Sequence, residues 1–132
     1  MYVALDSRIL KHFLGGEDME IFISALQGLL AAVFLVAGLG KLFGANMYKV
    51  NFDKWQLPYW FRIVTGIVET VASIFLILGY WNEIYIAYGT MILILVAMGG
   101  IFTHIRIKDS MTATFPITLL GILAIILFSL IV

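Results

Sequence analysis

Glu69 is the residue most able to do chemistry, because it stands near the middle of the apolar run at 58–80. An ionised carboxylate at that depth of a bilayer costs roughly 2.5 to 3.5 kcal/mol on insertion scales, so Glu69 must be neutral or partnered. Its run carries Arg62, Gly66, Glu69 and Ser73 at helical spacings, with Ile63, Ile67, Ile74 and Leu78 elsewhere. The small and polar face therefore points into a bundle. In the run at 21–43, Gln27, Phe34 and Lys41 recur every seven residues beside Ala37 and Gly38, putting an amide and an ammonium on one stripe. In the run at 84–105, Ala97, Gly100 and His104 share a face, and Arg106 follows. Helical side chains lean toward their N-terminus, so Lys41, His104 and Arg106, at C-terminal ends, lean toward the membrane centre. Arg62, which begins its helix, leans toward water by the same rule. The residues expected to line a polar cavity are Glu69, Lys41, His104, Arg106, Gln27 and Ser73.

Each has a plainer reading. Lys41 and Arg106 could snorkel to head groups, and for Arg106 that reading leads. His104 alone is more often a packing histidine than a ligand; the second histidine, His12, lies outside the apolar runs, so no metal site is expected. Ser24, Gly28 and Ala32 form a small-residue stripe on the face of their helix opposite Lys41, and Gly99, Gly100 and Gly121 add small residues later. Such stripes let helices approach closely, and internal packing is their default use.

The elements that must hold these side chains follow from composition. Of 132 residues, 63% are hydrophobic and 12% charged. A chain this short cannot hide so much apolar surface in one core, and the excess must meet lipid. The expected fold is all-α, an integral membrane bundle of four transmembrane helices at 21–43, 58–80, 84–105 and 115–132. Residues 1–20 read as an N-terminal surface segment or extension, lacking the basic-then-apolar order of a secretory signal. Pro58 and Pro116 read as helix starts, where a missing amide proton costs nothing. Asp109 or Ser110 is positioned to cap the last helix. Residues 47–57 mix aromatic and charged side chains as a short interfacial segment does. Trp55, Tyr59 and Trp60 mark one boundary, and Tyr80, Trp81, Tyr85 and Tyr88 the other.

Lys41, Lys49, Lys54, Arg62, Arg106 and Lys108 all fall on the side of the 1–2 and 3–4 connections, with Arg8 and Lys11 opposite. The positive-inside rule makes those connections cytoplasmic, in a multi-pass protein of the cell membrane. Zero net charge and the lack of a basic run remove the electrostatic footprint of nucleic-acid binding. With no cysteine, thiol chemistry is excluded.

Four strings in register with the first three spans carry a resemblance. They are Ala37-Gly38-Leu39-Gly40-Lys41-Leu42; Leu57-Pro58 leading into Thr65-Gly66-Ile67-Val68-Glu69; Leu78-Gly79-Tyr80; and Met98-Gly99-Gly100-Ile101-Phe102-Thr103-His104-Ile105-Arg106. In order and spacing they resemble the DoxX-like family, over about residues 22–130. The resemblance implies a compact four-helix membrane bundle whose polar positions match Lys41, Glu69, His104 and Arg106. Some relatives in that broad group are named as small subunits linked to quinone-dependent sulfur oxidation, and others act as assembly chaperones or cargo receptors. These functions differ too much for the resemblance to select one.

Three functions fit the residues. The first is a binding or accessory subunit holding a small lipophilic molecule such as a quinone, its polar end on Glu69, Lys41 and His104. The second is an assembly or chaperone-like partner of another membrane protein, or a homo-oligomer. The third is proton-coupled transport through Glu69 and His104. No nucleophile with a base, no metal cluster and no phosphate loop stands in the sequence, so intrinsic catalysis is not expected.

Overall fold

The computed structural model describes residues 7–132, with side chains from Gly15 onward. The expectations for residues 1–6 and for the side chains of Arg8, Lys11 and His12 lie outside the described residues. Five helices follow one another: α1 (Ser7–Phe43), α2 (Asn46–Lys54), α3 (Tyr59–Leu78), α4 (Ile84–Arg106) and α5 (Met111–Ile131). Among the described residues, four helices are long and apolar enough to cross a membrane: Gly15–Phe43, Tyr59–Leu78, Ile84–Arg106 and Met111–Ile131. At 1.5 Å per residue, the shortest of them reaches the roughly 30 Å that a bilayer core requires. α1 is kinked at Gly15, whose φ of 80° lies outside the helical region, and helix continues before it.

α3 packs against α1 and α4, while α5 packs against α4 and α1, closing a ring of four. The short connections make every neighbouring pair antiparallel. Leu30 and Phe34 of α1, Ala72 and Leu76 of α3, Ile86 and Leu93 of α4, and Ala124 and Leu127 of α5 fill the centre. Large apolar side chains cover the outside, Val36, Leu95 and Phe102 each being about two-thirds exposed at 69%, 67% and 66%. In water that surface would be untenable; in lipid it is the solvent-facing side. Hydroxyls within the spans are satisfied locally: Thr65, Thr70, Ser73, Thr90 and Thr103 each donate to the carbonyl four residues back.

α1 and α3 touch backbone to backbone at Gly38 and Gly66. A Cβ on Gly38 would lie 2.9 Å from the Thr70 nitrogen, and one on Gly66 would lie 2.9 Å from the Gly38 carbonyl oxygen. Gly28 of the other stripe abuts the Tyr80 hydroxyl, which donates to the Ser24 carbonyl at 2.8 Å. Gly38, Gly66 and Gly28 serve internal packing, whereas Ser24 and Ala32 of the second stripe are exposed.

Three expectations are corrected. The last helix begins at Met111, not near residue 115, because the Ser110 side chain accepts from the Ala113 amide and caps it a turn earlier. Pro116 therefore lies inside α5, whereas Pro58 stands at the N-cap of α3 as expected. Arg62 does not lean into water; it is 4% exposed and donates to the Lys41 carbonyl. That carbonyl belongs to the last turn of α1, where backbone oxygens have no helical partner and the helix dipole favours a cation. The antiparallel neighbour delivers the guanidinium to them, an arrangement invisible in either helix alone.

Candidate functional site

Lys41 and Glu69 meet across the α1–α3 interface, Lys41 Nζ lying 2.8 Å from Glu69 Oε1, with 10% and 5% of their side chains exposed. The close approach at Gly38 and Gly66, one turn from each, puts the two groups within reach. The ammonium also lies 4.5 Å from the ring centre of Tyr48 on α2, an attractive placement for a cation over a π face. Burial, and secondarily the nearby charge of Glu69, pushes the Tyr48 phenol above its ordinary pKa, so it stays neutral. Glu69 Oε2 has no partner among the described residues, yet no buried unpaired oxygen remains, so this atom is accessible.

Glu69 lines a cavity of about 700 Å³ between α3 and α4. Val64, Val68 and Val71 of α3 and Ile92, Val96 and Gly99 of α4 form its walls, with Phe52, Trp55 and Leu57 at one end. Lys41, Glu69 and His104 supply its charged and titratable groups. Several wall residues are also on the outer surface, including Val64 (45% exposed), Val71 (40%) and Leu95 (67%), so the cavity opens sideways, toward the acyl chains of the bilayer.

His104 is set by the way α4 ends. The Asp109 amide donates to the His104 carbonyl at 2.8 Å and the Lys108 amide to the Ile105 carbonyl at 3.0 Å, with Lys108 left-handed at φ 56°. This is the Schellman closure, normally built on glycine. It brings Asp109 back over His104, whose Nδ1 lies 2.8 Å from Asp109 Oδ2. α2 closes in the same way around Gln56, at φ 59°, with Leu57 bonding to the Phe52 carbonyl. The two turns then grip each other: Arg106 donates to the Trp55 carbonyl, Lys54 reaches Asp109 at 3.3 Å, and the Trp55 ring stands edge-on to His104 at 5.3 Å.

The hydrogen bond from His104 holds the Asp109 carboxyl below the usual carboxylate range; partial burial opposes this, and the Ser110 amide and Lys54 assist. A depressed folded pKa contributes stability that is present above the unfolded value of about 3.9 and lost as pH falls through the folded one. Trp55 emission, recorded in a protein whose other tryptophans are phenylalanine, should accordingly report loss of the contact in solution more acid than about pH 4. Asp109→Asn should show that changed signal at neutral pH. An Asp109→Asn protein with the unaltered signal and acid profile would show that Asp109 does not hold the two turns together.

Of the six residues grouped by sequence, Lys41, Glu69 and His104 line the cavity, and three do not. Gln27 is 2% exposed and donates to the Leu76 carbonyl at 2.7 Å, near the opposite end of α3. Ser73 is fully buried and spends its hydroxyl on the Glu69 carbonyl. Arg106 serves the Trp55 carbonyl. Sequence reasoning missed Asp109 as the partner of His104, because nothing before it signals a helix cap when glycine is absent. It also missed Gly99 as cavity wall, reading it as a packing glycine.

No solved structure matches this chain. It is 34% identical over 79 residues to a protein of Bacillus subtilis (strain 168) named Uncharacterized protein YdgD, a match covering 59% of this chain and 68% of that one. The profile of the DoxX-like family matches residues 25–127, which spans α1 from just before Gln27, both turns around Trp55 and Asp109, and α5 as far as Leu127. The buried Lys41–Glu69 pair and the cavity beside it are thus features of a chain that belongs to the DoxX-like family.

Proposed function

We propose that this protein binds a small lipophilic molecule, taken from the bilayer through the opening between α3 and α4, as a binding or accessory subunit of the cell membrane. The observation that carries the reading is the cavity of about 700 Å³, apolar along its walls, with both residues of a buried ion pair in its lining. Apolar walls with a few convergent polar groups are what small-molecule sites require, and sideways access suits a ligand that never enters water. Quinones belong to the class of molecules with that form. Lys54, Arg106 and Lys108 stand at the end where the α2–α3 and α4–α5 connections meet, which supports placing that end in the cytoplasm.

Gly99 gives the test. It lines the cavity, and a Cβ there would have nothing within 4 Å, so a larger side chain obstructs the opening without disturbing packing. Solvent extraction and native mass spectrometry of protein purified from its own membrane should show a bound amphiphile. Gly99→Trp should reduce its occupancy at least tenfold while thermal stability stays the same or rises, since glycine is a poor helix former by about 1 kcal/mol. Equal occupancy in both proteins, or an empty cavity in the unaltered one, would overturn the reading. Recovery of a stoichiometric protein partner with an empty cavity would instead favour an assembly role.

A further inference from the structure

Two residues that line the cavity, His104 and Glu69, each keep one polar atom without a partner among the described residues, and the hydrogen-bonding sense of both atoms can be worked out. Asp109 is an ionised carboxylate, fixed by His104, Lys54 and the Ser110 amide, and a carboxylate only accepts. The proton of the His104–Asp109 bond therefore sits on His104 Nδ1. In the neutral ring this leaves Nε2 as a lone-pair acceptor. Nε2 has no partner among the described residues and is not sealed off, and His104 lines the cavity. Glu69 Oε2, the second unused atom, accepts as well.

The other polar side chains around the cavity reinforce this bias. Thr65 and Thr103 donate their hydroxyl protons to the Phe61 and Gly99 carbonyls, leaving only lone pairs toward the cavity. The Lys41 ammonium places one N–H on Glu69 Oε1 and its charge over the Tyr48 ring, and a remaining N–H can serve the oxygen of a hydroxyl that itself donates elsewhere. Arg106 is held by the Trp55 carbonyl, and Trp55 adds one indole N–H at the half-buried rim. A ligand head that only accepts would face unsatisfied acceptors in an apolar site, which is costly.

We propose that the cavity selects amphiphiles whose polar end carries a hydroxyl, the hydroxyl donating to His104 Nε2 or Glu69 Oε2, over molecules of the same shape whose polar end only accepts. This rests on the binding reading above and narrows it. For a redox couple, the reduced dihydroxy form would be the better ligand and its dicarbonyl partner the poorer.

The test compares 4-dodecylphenol with 4-dodecylanisole, which differ by methylation of the one donor. The full chain, carrying Trp60→Phe and Trp81→Phe, is placed in phosphatidylcholine nanodiscs, and Trp55 fluorescence reports binding at matched membrane concentrations. The phenol should bind about tenfold more tightly, the worth of one well-made hydrogen bond. His104→Phe should shrink that ratio severalfold with anisole affinity maintained. Asp109→Asn, which releases the tautomer while keeping the ring, should narrow it too. Anisole bound as tightly as phenol by the unaltered residues would overturn the selection and leave the binding reading standing. If neither probe binds, both fail together. A ratio that survives both His104→Phe and Glu69→Gln would place the donor contact elsewhere and overturn the assignment.

Discussion

Glu69→Leu should destabilise the bundle by about 3–5 kcal/mol, and adding Lys41→Met should return most of that loss. The single change leaves the Lys41 ammonium buried without its carboxylate, 10% exposed and facing apolar walls. The cost is that of an uncompensated charge more than of a lost contact. The double change removes both charges and replaces them with side chains the surroundings accept, an exchange that is often neutral in a buried pair. Unfolding in mixed micelles, followed by far-ultraviolet circular dichroism, measures the cycle. Glu69→Gln separates structure from binding: its amide oxygen still accepts from Lys41, so the protein should insert and fold with a smaller loss of stability. Ligand occupancy should nevertheless fall, because an amide cannot present the same two acceptors. If Glu69→Leu alone is as stable as the unaltered protein, the ion pair does not hold α1 to α3.

Gly38→Leu should disrupt the fold at least as severely, while Gly99→Leu should not. A Cβ at Gly38 would meet the Thr70 side chain, the Thr70 nitrogen and the Gly66 carbonyl oxygen at 2.5, 2.9 and 3.0 Å. Two of those three are backbone, so relief demands that α1 and α3 move apart. Overpacking of a well-filled site typically costs about 1–3 kcal/mol and more where the backbone must shift. Separation would also stretch the Lys41–Glu69 pair, since Lys41 lies one turn from Gly38 and Glu69 one turn from Gly66. The two effects are therefore coupled, and Gly38→Ala combined with Glu69→Leu should cost less than the sum of the single losses. Protease resistance in nanodiscs and the circular dichroism transition would register both. A Gly38→Leu protein as stable as Gly99→Leu would show that the contact is not required.

Much of this architecture is legible in the sequence because a membrane imposes its rules locally. Each span must be about 20 apolar residues long, so residues 21–43, 58–80 and 84–105 announce themselves without reference to one another. The last span begins a few residues earlier than its hydropathy suggests, since Thr114 looks polar in sequence yet donates to the Ser110 carbonyl, and Ser110 caps the helix. A charge in hydrocarbon must be answered, so Glu69 announces itself as neutral or partnered, while for Lys41 the sequence leaves snorkelling to the head groups open. These conclusions need only helical periodicity and the dielectric of the surroundings.

What the tertiary structure decided depends on where helices stand relative to one another. Gln27, Ser73 and Glu69 all sit on inward faces, but periodicity gives a direction and not a depth or a neighbour; only the α1–α3 register sends Gln27 to the Leu76 carbonyl and Lys41 to Glu69. Arg62 is buried because the end of α1 arrives beside the start of α3 with an unpaired carbonyl. Asp109 reaches His104 because α4 closes through a left-handed lysine, a conformation no residue type there advertises. The cavity is the least local feature of all: its walls come from α3 and α4, its charges from α1, α3 and α4, and its end from the turn after α2. Sequence fixes which groups a hydrocarbon phase cannot leave alone, whereas the empty space between helices is set by how closely small residues such as Gly38 and Gly66 let backbones meet.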